Sequence, residues 1–397
     1  MTYDFDTVIS RKGTGDLMHE ALQPRWGRTD LLPLWVADMD FAVCPDILDA
    51  MRRRLDHPIL GYTVEPADYF PAIHDWLLSH HHWDIRREWL SFIPGIVKGI
   101  GIAVNLFTKP DEKIVVMPPV YHPFFLVPRA NKRKIVWNPL KRLDDGYYDI
   151  DFNNLEQVCD DKCRILVLCN PHNPAGICWS RETLQRLAGF CYDHHVLVIS
   201  DEIHCDLALF GHEHIPFASV SEKAKMNSIT FQAPSKTFNI AGVVASQAII
   251  PNKEIRDRMF GWLKANELDD AHILAHIATV AAYRKGEEWR KQLIAYVEGN
   301  IKFVEDYCRE HIPQIVPLRP QASFLVWLNC RTLGLSHSQL LDLFIDKAHL
   351  ALNDGEMFGP GGEGFMRLNV GVPRSILRQA LGQLQEAVDH LLASKEH

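Results

Sequence analysis

The chain has 397 residues, of which 47% are hydrophobic and 23% are charged, and this composition is typical of a globular protein with about two or three domains. Its formal net charge of -8 argues against a protein that binds nucleic acid by neutralising phosphates. The N-terminus lacks the pattern of an export signal, and no stretch approaches the roughly 18 apolar residues that a membrane helix needs.

Residues 1–40 carry few periodic signals, and we expect them to cover the C-terminal domain or the active site. Between about residues 90 and 250, short β-branched runs alternate with segments of helical period. The runs are KIVVM at 113–117, RILVLCN at 164–170, VLVISD at 196–201, SITFQ at 228–232 and VVASQAII at 243–250. Near-continuous apolar strands separated by helices predict a mostly parallel sheet with helices on both faces.

After about residue 285 the pattern changes to longer helices and fewer strands. The segment EEWRKQLIAYVEGNIKFVEDYCREH predicts a long amphipathic helix, SFLVWLN and GFMRLNV predict strands, and further helices are expected at 336–348 and at the C-terminus. We therefore predict an α/β fold with a smaller α+β domain. Residues 41–284 would form the large domain, and residues 1–40 with 285–397 would form the small domain and the N-terminal segment.

Three strand ends bring reactive side chains to one edge of the predicted sheet. Asn173 lies in the loop NPHNPAG after RILVLC, Asp201 follows VLVIS, and Ser235 and Lys236 lie in the loop after SITFQ. Ligands of open α/β sheets bind beyond the carboxyl ends of the strands. The sequence therefore predicts an amide, a carboxylate and an amine that face one ligand.

A fourth segment, SFIPGIVKGIG, predicts an anion site at the start of a helix. The first backbone N–H groups after Gly95 have no partner within the helix and can hold an anion. The segment is neither a GxxxxGK[ST] loop nor a full GxGxxG, so a single phosphate is favoured over a nucleoside triphosphate or dinucleotide. Pyridoxal phosphate combines one phosphate, an aldehyde that forms a Schiff base with lysine, and a ring that accepts electrons beside a carboxylate.

Four motifs resemble a known family. NPHNPAG, SDEIHCDL, APSKTFNIAG and FMRLNVGVPR, in this order and spacing, are similar to those of the fold-type-I pyridoxal phosphate enzymes, the aspartate aminotransferase superfamily. The N-terminal LPLWVADMDF and ILGYT resemble the MalY/PatB branch, the cystathionine β-lyases, and the resemblance covers essentially the whole chain. It implies a homodimer with shared active sites and the fold of type I pyridoxal phosphate enzymes.

The resemblance implies catalytic roles for residues that match these motifs. Lys236 would form the Schiff base and remove the substrate α-proton, and Asp201 would pair with the pyridinium nitrogen. Tyr121, in PPVYHPF, would stack on the ring. Asn173 would contact the ring 3-oxygen and the substrate carboxylate, which Arg367 would clamp with its planar guanidinium.

The same resemblance implies the contacts to the cofactor phosphate. The backbone amides of Ile96 and Val97 and the hydroxyl of Ser235 would hold this group, joined by Tyr62 from the second subunit. The sequence departs from the family where a serine often stands, because Ala233 occupies that position. One phosphate contact would then be missing or replaced.

His204 stands where many aminotransferases of the superfamily have a tyrosine that reaches the ring 3-oxygen, and we count it among the cofactor contacts. The chain contains 20 histidines and nine cysteines, but no HExxH motif and no Cys/His set with ligand spacing. We therefore expect no catalytic metal. The odd number and scattered positions of the cysteines favour reduced thiols and therefore a cytoplasmic location.

The residues leave the reaction open. Elimination of a β-thiolate from cystathionine or related S-substituted cysteines would yield homocysteine or another thiol, pyruvate and ammonia. An aminotransferase that moves an amino group to a 2-oxo acid would use the same lysine, aspartate and arginine. A third alternative is a regulatory binding protein of the MalY type. The family resemblance favours the lyase, with a place in methionine biosynthesis, over both alternatives.

Overall fold

A computed structural model describes residues 2–395 of the chain. The N-terminal part contains α1 (Leu17–Glu20), α2 (Leu22–Trp26), β1 (Leu32–Pro33), α3 (Pro45–Leu55) and α4 (Tyr69–His81). The central part contains β2 (Leu90–Ile93), α5 (Ile96–Phe107), β3 (Lys113–Val116), α6 (Pro123–Ala130), β4 (Lys134–Trp137), β5 (Lys141–Arg142), β6 (Tyr148–Asp149), α7 (Phe152–Val158), β7 (Cys163–Cys169), α8 (Arg181–Asp193), β8 (Leu197–Asp201), α9 (Glu222–Met226), β9 (Ser228–Gln232), β10 (Ser246–Ile249), α10 (Lys253–Ala265) and α11 (Ile273–Lys285).

The C-terminal part contains α12 (Glu287–His311), β11 (Val316–Leu318), β12 (Leu325–Asn329), α13 (His337–Asp342), β13 (Leu350–Ala351), β14 (Asn353–Asp354), β15 (Phe365–Asn369) and α14 (Arg374–Lys395). A turn of π-helix, Leu343–Lys347, extends α13. Short 3-10 turns occur at Arg87–Trp89, Cys205–Leu207, Phe217–Ser219, Ala241–Val243, Arg331–Leu333 and Gly355–Phe358.

The central sheet has seven strands in the order β2-β10-β9-β8-β7-β3-β4. Neighbours from β9 to β4 are parallel, while β10 is antiparallel to both β9 and β2. All five predicted runs form strands, so the mostly parallel sheet is confirmed. Two strands of this central sheet were not predicted. They are its two edge strands: β2, which pairs with the antiparallel β10, and β4, which is partly exposed.

Some helices of the central part begin at a side-chain cap, whereas others, such as α5, have none. Ser180 caps α8, since its side chain accepts a hydrogen bond from the backbone N–H of Thr183. Helix α5 lies close against the sheet at Gly99, where an added Cβ would lie 2.8 Å from Cδ1 of Ile93. The glycine-containing segment of α5 therefore serves close packing of helix and sheet.

The second sheet has four antiparallel strands in the order β11-β12-β15-β14, flanked by α12 and α14. The N-terminal segment joins this region, because β1 pairs in parallel with β13. One hydrophobic cluster runs through Leu34, Trp76, Val297 and Leu377, and so crosses the boundary expected near residue 285. The division into residues 41–284 and residues 1–40 with 285–397 stays a prediction.

Two further expectations concern the environment of the chain. The nine cysteines are free thiols, and seven of their side chains have pKa values raised by burial as the largest cause. Among residues 2–395, the helices are either too short or too polar to cross a lipid bilayer.

Candidate active site

A cavity of about 330 Å³ lies at the carboxyl ends of the parallel strands. Cys169 at the end of β7 is level with Asp201 at the end of β8, and Asp201 is level with Phe231 in β9. The register of the three strands thus places their ends level and brings the three following loops to one place. The cavity is lined by Ala37, Pro94, Gly95, Ile96, Val97, Lys98, Tyr121, Cys169, Asn173, Asp201, Ile203, His204, Ser235, Lys236, Ala241, Val244 and Ser246.

Lys236 lies in the turn after β9, and its Nζ donates a hydrogen bond to the backbone carbonyl of Ala37. Burial lowers the pKa of the amine to about 8, because the charged form loses hydration. The carboxylates of Asp38 and Asp201 act in the opposite direction, and Arg367 acts with burial. A lysine in this state supplies a neutral amine close to physiological pH.

Asp201 ends β8 with a buried side chain, and its Oδ1 accepts a hydrogen bond from the backbone N–H of Ile203. Burial raises the pKa of its carboxyl to about 7, against smaller opposing effects of that hydrogen bond and of Lys236. A cation placed beside Asp201 would stabilise its ionised form. The position therefore suits a protonated nitrogen on a bound ligand.

The N-terminus of α5 forms the opposite wall of the cavity. Gly95 precedes the helix with φ 120°, a conformation that suits glycine, and no side chain caps the first turn. The backbone N–H groups of this turn, at Ile96 and Val97, remain available for an anion. Ser235 lines the same cavity, together with Lys98 and Ser246, two polar residues that sequence reasoning missed.

Arg367 lies on β15 and is buried. Its Nη1 donates to Oδ1 of Asn173 at 3.0 Å, and its Nη2 donates to the carbonyl of Trp35 at 2.8 Å. Its Nε has no hydrogen-bond partner, and within residues 2–395 no carboxylate pairs with the guanidinium. Burial lowers the pKa of Arg367 to about 10. A buried cation without a counter-charge is suited to a ligand carboxylate.

Tyr121 and His204 line the cavity as expected. The backbone N–H of Tyr121 donates to the carbonyl of Asn173, and burial raises the pKa of the Tyr121 phenol. Burial lowers the pKa of His204 to about 3, so the imidazole is neutral, and its Nδ1 has no hydrogen-bond partner. Ala233 is buried and lies outside the cavity lining.

Two predicted site residues are not in the lining of this cavity: Arg367, which is joined to it through the hydrogen bond to Asn173, and Tyr62, which lies apart from it. The side chain of Tyr62 is fully exposed in the segment between α3 and α4, next to the exposed Leu60 and Val64. The sequence hypothesis assigned Tyr62 to the active site of a second subunit. Its position in the single chain is compatible with that role, which remains a prediction.

The sequence model of one protein family, described as aminotransferase class I and II, matches residues 29–384. The chain belongs to this family. Cystathionine beta-lyase PatB of Bacillus subtilis (strain 168) is 42% identical over 386 residues, which cover 97% of this chain and 100% of that protein. Protein MalY of Escherichia coli (strain K12) is 32% identical over 97% of this chain and 99% of its own length.

A comparison with solved structures also supports this family. Cystalysin from Treponema denticola, whose crystal structure contains a pyridoxal 5'-phosphate cofactor, superimposes with a TM-score of 0.94. It is 34% identical, and the match covers 98% of this chain and 100% of that chain. The predicted family, its MalY/PatB branch and the fold are thus confirmed.

The donor set of the cavity can be tested against the chemistry of pyridoxal phosphate. An amine with a lowered pKa, at Lys236, can react with an aldehyde. The carboxyl group of Asp201 has no cationic partner in direct contact and can pair with a ring nitrogen. The first turn of α5 has no side-chain cap and can hold a phosphate monoester. The residues of this aminotransferase-family chain therefore fit the cofactor.

A buried polar network lies on the other side of the turn that carries Lys236. The carboxylate of Asp206 accepts hydrogen bonds from Trp76, His81 and Thr237, the residue that follows Lys236. Sequence reasoning missed this network, because its members are far apart in the chain. Three possible ligand atoms, of His81, Cys205 and Asp206, lie within 4.8 Å of one another, but Asp206 is already used by its three donors.

Proposed function

We propose that the protein is a pyridoxal phosphate-dependent carbon-sulfur β-lyase that cleaves cystathionine or related S-substituted cysteines. The observation that carries this proposal is the arrangement of Lys236, Asp201 and Arg367. An amine of lowered pKa and a buried carboxyl group line one cavity, and an arginine without a counter-charge stands beside it. The names of PatB and of other relatives favour cystathionine cleavage as the reaction.

The cofactor would be held at three points. The backbone amides of Ile96 and Val97 and the hydroxyl of Ser235 would bind its phosphate, and Lys98 would add positive charge nearby. Asp201 would pair with the ring nitrogen. Tyr121 would lie against the ring face, while Asn173 and His204 would be near the 3-oxygen. The chemistry supplied by the bound cofactor is withdrawal of electrons from the substrate α-carbon.

Around the substrate, each residue has one task. Arg367 would hold the α-carboxylate through two parallel hydrogen bonds, using the Nε that has no protein partner. Nζ of Lys236 would accept the α-proton, because burial keeps much of the amine neutral near pH 8. Loss of that proton and departure of the β-sulfur with its bonding electrons release a thiolate. Addition of water to the remaining fragment gives pyruvate and ammonia.

The decisive experiment compares elimination with amino transfer. We expect the purified protein with pyridoxal phosphate to release a thiol and pyruvate in equal amounts from cystathionine. Thiol reagent titration and coupled lactate dehydrogenase would measure the two products. Efficient amino transfer to a 2-oxo acid without pyruvate release would reject the lyase and support the aminotransferase. A Lys236→Ala variant serves as the control, because it should release neither product.

We propose further that two copies of the chain form the active enzyme. Ile59, Leu60, Tyr62 and Val64 are exposed in one segment, and such an apolar stretch is expected to be covered by a partner. Tyr62 of this segment would complete the phosphate site of the other copy. Sedimentation analysis should show a dimer, and a monomer of full activity would contradict this arrangement.

Free cysteines and a product such as homocysteine, a precursor of methionine, fit an enzyme of cytoplasmic methionine biosynthesis.

A further inference from the structure

A second, larger cavity of about 960 Å³ adjoins the active site. Lys236, Tyr121 and Arg367 line one part of it, and Pro24 and Arg25 of the N-terminal segment line another. A substrate whose α-carboxylate is bound at Arg367 would therefore have room to extend towards α2. The residues along this route decide which β-substituents the enzyme can accept.

Arg25 is held in place by aromatic rings. Its guanidinium lies 4.5 Å from the ring centroid of Trp35 and 5.1 Å from that of Trp26, and Nη2 lies 3.1 Å from Sδ of Met357. These contacts fix the direction of the guanidinium without neutralising it. In the described part of the chain, no aspartate or glutamate forms an ion pair with Arg25.

Arg25 and Arg367 line the same cavity. Trp35 connects them, since its ring stacks on Arg25 and its carbonyl accepts a hydrogen bond from Arg367. Burial lowers the pKa of His122, which lines the same cavity, to about 4, and the charges of Arg367 and Arg25 act in the same direction. Two guanidinium groups without carboxylate partners thus face one cavity beside a neutral imidazole.

We propose that Arg25 binds the distal carboxylate of a substrate that carries two carboxylates, while Arg367 binds the proximal one. This inference rests on the proposed lyase function and deepens it, because it identifies Arg25 as the residue that favours cystathionine over cysteines with small S-substituents. Arg25 is exposed and has no carboxylate partner, and the distal carboxylate would supply its counter-charge at a guanidinium already oriented by Trp26 and Trp35.

Ligand binding tests the inference without turnover. Suberate has the same number of chain atoms between its carboxylates as cystathionine, and heptanoate is similar in length but has one carboxylate. Calorimetry on the holoenzyme should show that suberate binds more tightly than heptanoate. Arg25→Gln should weaken suberate binding by about tenfold and leave heptanoate binding unchanged. Arg28→Gln is the matched control, since Arg28 is already paired with Asp30 and Asp346.

Kinetics provide the second measurement. For Arg25→Gln we expect the KM for cystathionine to rise about tenfold with little change in kcat, and no change in either constant for S-methylcysteine. Equal suberate binding by both forms, or an equal loss for both ligands, would overturn the role of Arg25. If the unaltered protein releases no pyruvate from either substrate, the lyase proposal fails, whereas the calorimetric result still decides whether Arg25 binds a distal carboxylate.

Discussion

At Lys236, burial and neighbouring carboxylates have opposite effects on the amine. Burial lowers the pKa to about 8, Arg367 acts in the same direction, and Asp38 and Asp201 oppose this change. The ammonium form donates to the carbonyl of Ala37, whereas the neutral form can attack a carbonyl carbon. We therefore expect the pKa of this residue to control how fast the chain captures its cofactor.

We predict that the rate of pyridoxal phosphate capture by the cofactor-free protein rises with pH through a midpoint near 8. The sign follows from the reactive species, because only the deprotonated amine is a nucleophile and its fraction increases above the pKa. Asp38→Asn should shift the midpoint to lower pH, since this carboxylate raises the pKa. Stopped-flow absorbance between pH 6.5 and 9.5 measures the rate.

Asp40→Asn is the matched control for this experiment. Asp40, like Asp38, forms an ion pair with Arg11, but it is not among the groups that shift the pKa of Lys236. Its replacement should leave the midpoint unchanged. A capture rate that does not vary with pH, or the same shift for both variants, would show that the charge of the Lys236 amine does not limit the reaction.

The sequence predicted which residues lie together at the site better than it predicted their contacts. Lys236, Asp201 and Asn173 follow buried strands, so their common edge could be expected from topology alone, and the structure brings them to one cavity. The contacts made by backbone carbonyls could not be predicted. Ala37 and Trp35 contact Lys236 and Arg367 through carbonyl oxygens, which leave no trace in the identity of a side chain.

Among the elements, helix α5 combines packing with ligand binding. Its first turn faces the candidate phosphate site, and Gly99, one turn later, lies against Ile93 of β2 and Phe231 of β9. A side chain at this position would move the helix away from the sheet. Because the free N–H groups move with the helix, the packing at Gly99 also sets the position of the anion site.

We predict that Gly99→Ala is less stable than Gly101→Ala by about 1 to 3 kcal/mol, the usual cost of overpacking a buried contact. Both substitutions gain the same helix propensity, so their difference isolates the packing effect. An added Cβ at Gly99 lies 2.8 Å from Ile93, whereas at Gly101 the nearest atom, in Val127, is 3.4 Å away. Urea unfolding of the two variants measures the difference, and equal stabilities would contradict it.

The sequence predicted elements well where apolar strands were continuous and less well at the edges of the sheet. Strand β4 has partly exposed side chains, so its pattern lacks the buried run that identified β3 and β7. Strand β2 precedes the glycine that was interpreted as part of an anion-binding segment, and its partner β10 is about 150 residues away in the chain. Long-range pairing of this kind has no local signal.

For the whole molecule, the single chain places nine of the ten predicted site residues together and leaves Tyr62 outside. We predict that mixing Lys236→Ala and Tyr62→Ala proteins, after reversible dissociation, restores lyase activity that neither variant has alone. A mixed dimer would contain one site with both the lysine and the tyrosine. Activity assays before and after mixing provide the measurement.

The control mixes each variant with itself under the same conditions, which should restore nothing. Mixed protein that sediments as a dimer but remains inactive would show that Tyr62 does not act across the interface. The family and the general fold could be predicted from motifs in one chain, but a shared site could not be derived from spacing. Only the resemblance suggested it, because the relation between two copies is absent from the order of residues in one.

The pairing of β1 with β13 has a consequence for synthesis on the ribosome. Leu32 and its partner Leu350 are separated by more than 300 residues, so β13 is added to the chain long after β1. Until then Trp35 and Ala37, which follow β1 and contact Arg367 and Lys236, have no fixed position. The Lys236 amine and the Arg367 guanidinium can therefore acquire their final surroundings only after β13 and β15 have been made and β1 has paired with β13. We expect the mature cofactor site to form after these long-range contacts and not while the central sheet is being synthesised.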